Sequence, residues 1–202
     1  MSEELLQARR SLGHVLNDSI NLEPQDYELI GEFVQAYCVA DLEARRGINA
    51  LSHVHTGVPT DYALKLNDKD AIDHLERRAK EWEGQMEVKE GLLMVVDILR
   101  GHRHLRHVFA HWAGRRVPKY DALIFFSANL GGHKIPEGAI KYESVEGANM
   151  QYGLVPLKSV RDELEKLQGH TLYLINIGRQ LEENADRIAQ DFARSRGLKA
   201  RS

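Results

Sequence analysis

Asp97-Ile-Leu-Arg-Gly-His-Arg-His-Leu-Arg-His-Val-Phe-Ala-His-Trp112 is the stretch on which the reading of this chain turns. It begins apolar and then carries four histidines and three arginines before a turn. Just upstream, Leu92, Val95, Val96 and Leu99 recur at steps of three and four, so the spacing predicts one helix from about Met86 to Trp112. Continued in the same phase, that stripe runs through Arg103, Arg106 and Ala110, with Phe109 beside it. The expectation is an apolar face that turns cationic over its last turns. His104, His107 and His111 form a second, adjoining stripe. At roughly 100° per residue, Arg106 and His111 lie about 140° apart. They reach one atom only if the helix ends or tightens there, which Gly114 permits.

Working outward, the pattern before this helix is also helical. Leu22-Glu-Pro-Gln-Asp26 places a proline and acidic groups where a helix opens. Ile30, Phe33, Val34, Tyr37, Ala44, Ile48 and Leu51 then mark one face. Asp41 sits in that face. It is either a solvated residue at the edge or a buried partner of an arginine on a neighbouring helix, because a lone buried carboxylate is costly. His53 to Asp61 reads as a loop, and Asn67 or Asp68 caps a helix carrying Ala71, Ile72, Leu75, Ala79 and Trp82. The first twenty residues hold a weaker helical pattern that docks or frays.

Downstream, Gly114-Arg-Arg-Val-Pro118 reads as a connector. Ala122 to Ser127 is rich in strand formers, Ile140 to Val145 alternates, and Met150 to Val155 gives a third strand. A long helix follows from Pro156 or Leu157, with Val160, Leu164, Leu167, Leu172, Leu174, Ile175, Leu181, Ile188 and Phe192 inside and Glu163 on a solvated face. The fold class expected is mainly α, a helical bundle with a small antiparallel β addition before the last long helix. The expected division is a docking or frayed segment 1–22, a single domain 23–195 with its β insertion at 120–155, and a disordered basic tail 196–202.

Composition narrows the function classes. A formal net charge of -3 gives no global basic field of the kind that advertises nucleic-acid binding, so any such contact is a local patch. The single cysteine, Cys38, cannot close an internal disulfide and fits a reducing compartment. No run of eighteen apolar residues is present, so a cytoplasmic protein without a membrane span is expected. No glycine-rich phosphate loop, zinc-finger pattern or nucleophile elbow occurs, and no cofactor is expected.

Arg106-His-Val-Phe-Ala-His111 resembles the motif of the HEPN superfamily, an arginine, a polar residue, three variable residues and a histidine. Arg106 matches the arginine, His107 the polar residue and His111 the histidine, and the likeness extends over residues 24 to 112. The resemblance implies a compact helical bundle, a site formed across a homodimer, and metal-independent endoribonuclease activity of the kind met in toxin–antitoxin and phage-defence systems. It also implies RNA and an antitoxin or other protein as partners, and, in noncatalytic members, a binding or dimerisation module. Asp41 or Glu43 would be the acidic residue of the early helix.

The chemistry suits those residue types. RNA cleavage without a metal needs a base for the 2′-hydroxyl, an acid for the leaving oxygen and positive charge on the phosphoryl group. His111 is the acid–base residue, Arg106 the phosphate fork and His107 an orienting or phosphate-binding group, with Asp41, Arg103 and His104 in support. A metal reading competes. His104, His107 and His111 stand three and four apart and would approach a transition metal with one position open, although no carboxylate stands between them as in zinc-protease helices.

Overall fold

A computed structural model describes residues 12–128, 142–145 and 150–195. The expected basic tail 196–202 and the first part of the amino-terminal segment lie outside the described residues. The chain is a mainly α bundle with a small antiparallel sheet before the last long helix. The helices are α1 (Leu12–Asn17), α2 (Pro24–Thr56), α3 (Asp68–Lys80), α4 (Met86–His111) and α5 (Leu157–Ser195). The strands are β1 (Ala113–Val117), β2 (Ala122–Ala128), β3 (Tyr142–Val145) and β4 (Met150–Pro156), in spatial order β1-β2-β4-β3.

Local chemistry sets the helix ends. Pro24 opens α2, and the Asp26 carboxylate accepts the Glu23 backbone N–H at 2.9 Å, which closes a cap over the first turn. At the other end Gly57 has φ +72° and donates its N–H to the His53 carbonyl at 2.7 Å. That glycine stop lies beyond His53 and His55, so the first four residues of the segment expected as a loop are the last turn of a helix, and Gly57 to Asp61 is the loop. Asn67 caps α3 by accepting the Asp70 N–H at 2.9 Å. α5 passes Gly169 and Gly178 without a break, and Leu172, expected inside, is 62% exposed.

The sheet departs from expectation in one respect. Gly114-Arg-Arg-Val, expected as a connector, is strand β1, paired antiparallel with β2 from Ala113↔Phe126 to Val117↔Ala122. Gly114 lies so close to the Phe125 ring and Leu22 that an added β-carbon would come within 3.0 and 3.2 Å of them. Glycine is what lets the strand approach.

The described residues fall into two compact units. The first takes 12–35 and 101–165, the second 36–100 and 166–195. In the first, Val15 of α1 enters a core with Val117, Ala122, Ile124, Tyr152 and Leu154. Ile20 and Arg116 exchange backbone hydrogen bonds of 2.8 and 2.9 Å, so the segment after α1 is docked on the sheet edge. The rings of Phe33, Phe109 and Phe125 follow one another at centroid distances of 5.2 and 5.1 Å. In the second unit Arg45 clamps a turn: it donates to the Ala63 and Leu66 carbonyls at 3.0 and 2.6 Å while its other nitrogens hold Asp41.

One ion pair in the first unit is buried. Asp26 is 1% exposed, and Arg116 Nη1 meets its Oδ1 at 2.6 Å. Removing the carboxylate leaves Arg116 with Asp121 alone and the Glu23 N–H without its acceptor. Asp26→Ala is expected to lower unfolding stability by about 1–3 kcal/mol in denaturant titration. Asp26→Asn keeps an acceptor for the Glu23 N–H and is expected to lose less.

Candidate functional site

The site is built on the carboxyl-terminal half of α4. The buried stripe of that helix is Leu92, Val95, Val96 and Leu99, as expected. It then continues through His102, Leu105, Val108 and Phe109 rather than through Arg103, Arg106 and Ala110. Each step of three falls about 60° short of a full turn at roughly 100° per residue, so the buried face rotates around the helix. Phe109 packs edge-on to Phe33 and tilted on Phe125, which holds the rotated phase. The face therefore stays apolar. Arg103 and Arg106 lie half-buried on its flank, and Ala110 is exposed.

That rotation sorts the histidines. His102 is buried, with Nε2 2.9 Å from Glu163 Oε2 and its ring edge-on to Phe33 at 5.5 Å. Glu163, expected on a solvated face of α5, is instead the carboxylate that accompanies a buried imidazole. The sequence signal was the step of three from Leu99 to His102 and on to Leu105. His104 is half-buried, and its imidazole is held below its ordinary pKa of 6.5 by burial first, then by His107 and Arg103. His107 and His111 are exposed, and their rings meet at 4.8 Å with planes inclined by 52°.

The structure thus brings His107 and His111 together. Their spacing of four places them one above the other on the helix. Arg106 stands on another side, with its Nε buried and without a hydrogen-bond partner among the described residues. His111 is the last residue of α4, Trp112 N–H still bonds the Val108 carbonyl at 3.0 Å, and β1 starts at Ala113. The pair is therefore carried at a helix–strand junction.

Two expectations are corrected. Asp41 finds its arginine on its own helix: Arg45 Nε and Nη2 donate to its two carboxylate oxygens at 2.7 and 3.2 Å. The spacing of four makes that the nearest cation. Asp41 therefore supports the Arg45 clamp, not Arg103 or Arg106. Likewise, among the described residues no three His, Cys, Asp or Glu side chains gather as a ligand set, so His104, His107 and His111 do not converge on a metal position. Two of the rings face one another at the surface while the third is half-buried.

Among the described residues no helix is long and apolar enough to cross a membrane. In comparison with known proteins, the chain matches no family model, no curated protein and no solved structure.

The His104 environment has a consequence for stability. Its folded pKa is depressed, so between that value and the ordinary 6.5 the unfolded chain binds a proton that the folded chain does not. Stability is full above about 6.5 and falls as pH drops toward the folded value. His74 and His170 are shifted in the same direction, mainly by burial. His104→Gln is expected to flatten part of the acid-side loss, read as the difference in unfolding midpoint between pH 7 and pH 5 for the variant and the parent.

Proposed function

We propose that the end of α4 contacts RNA phosphate and that Arg106, His107 and His111 cleave the phosphodiester without a metal, the activity implied by the likeness to the HEPN motif. The observation that carries this reading is the exposed His107–His111 pair at a ring distance of 4.8 Å, with Arg106 immediately before His107 and its Nε unmatched among the described residues. One imidazole in its neutral form removes the 2′-hydroxyl proton, and the other in its charged form delivers a proton to the departing 5′-oxygen. The Arg106 guanidinium takes the non-bridging phosphate oxygens. Arg103 adds positive charge beside them. In this reading the chain works as a homodimer that opposes two copies of the motif, and a protein antitoxin restrains it.

A second reading is a noncatalytic helical module that binds a protein or nucleic acid through the same surface, with the exposed His107–His111 pair as a contact and not a catalyst. The two readings part on turnover. Purified protein, freed of any co-purified partner, is incubated with mixed RNA with and without EDTA. The proposal expects chelator-insensitive cleavage that falls by about 100-fold or more in His111→Ala and in Arg106→Ala. It also expects light scattering to give a dimer mass at tens of micromolar. Binding without cleavage, weakened by Arg106→Ala, would establish the module instead. Neither binding nor cleavage would remove both nucleic-acid readings.

A further inference from the structure

The second unit contains a cleft of about 300 Å³, walled by residues around the α3–α4 connection and by α5. That volume lies at the lower end of small-ligand sites. Trp82, Val88, Ile177 and Leu181 form its apolar wall. The indole of Trp82 is fixed from two directions. Its Nε1–H donates to the Gln85 carbonyl at 3.1 Å. Its ring also lies so close over Gly84 that an added β-carbon would overlap it, so only glycine leaves the indole where it is. An aromatic wall held in one pose loses little freedom when a flat ligand packs on it.

The polar side of the cleft has one sign. Among the described lining residues Arg187 is the single charged group, and no carboxylate lines the space. Its Nη2 donates to the neutral Asn184 Oδ1 at 2.9 Å, and Asn184 is itself oriented by donating to the Gln180 carbonyl at 2.9 Å. Other arginines of the unit are neutralised: Arg179 by Glu183, and Arg46 by Glu43 and Glu182. Arg187 thus presents a cation beside an apolar aromatic wall.

We infer that this cleft is a binding site for a small organic anion with a flat apolar body, an aryl carboxylate by chemical class. The ring lies along Trp82 and the carboxylate meets the planar fork of Arg187. A cation would be repelled, and a neutral ring would leave the guanidinium unmatched. None of the lining residues belongs to the candidate site at the end of α4.

Naphthoate is the probe, with its neutral amide as the matched control, each titrated into the full chain by calorimetry. The expected result is one site per chain with a dissociation constant of about 10–500 µM for naphthoate and binding about ten-fold weaker for the amide. Arg187 is exposed, so Arg187→Gln leaves the fold intact. It is expected to bring naphthoate down to the level of the amide while leaving the amide unchanged. Trp82→Leu is expected to weaken both. Equal affinity of acid and amide, an acid preference that survives Arg187→Gln, or no binding below about 1 mM would each overturn the inference.

Discussion

The buried contact between Asp26 and Arg116 is the constraint on which the first unit depends. A carboxylate that is 1% exposed persists only with its charge matched and its lone pairs filled. Arg116 supplies the charge and the Glu23 N–H fills a second direction. The same arginine reaches Asp121 at 2.6 Å at the turn into β2, and its backbone exchanges hydrogen bonds with Ile20. One residue thereby ties the opening of α2, the docked amino-terminal segment, strand β1 and the hairpin turn. β1 begins two residues after His111, so the strand that Arg116 anchors follows directly on the helix end that carries the exposed imidazoles.

This contact also shows where the sequence stops being legible. The long helices follow from apolar spacing, and their starts follow from residues within four positions, such as Pro24 and Asn67, whereas α2 runs on through His53 to Thr56, where a loop was expected. β2 and β4 follow from their strand formers. β1 does not, because two of its five residues are arginines and one of these is balanced by a carboxylate ninety positions away. His102 and Glu163 are sixty-one positions apart, and each taken alone reads as a polar residue of a helix. Pairings at such distances carry no local period.

The site was legible as a pattern and less so as geometry. The arginine and histidines of α4 are plain in the chain, and the His107–His111 contact follows from their spacing of four. The buried phase was not legible. Extending a fixed stripe puts Arg103 and Arg106 inside, whereas the aromatic contacts of Phe109 with Phe33 and Phe125 favour steps of three and turn the face toward Leu105 and Val108. Asp41 illustrates the opposite case. A solvated edge position or a distant arginine was expected, and the nearest cation on the same helix is its partner.

Four histidines on one helix take different states because burial differs over a few ångströms. His102, inside, needs the Glu163 carboxylate as company and is committed to the core. His104, half-buried beside Arg103 and His107, is biased toward the neutral ring. Of the four, only His107 and His111 lie open to solvent. The residue type is the same in each case, and the rotation of the buried face decides which copies reach the surface.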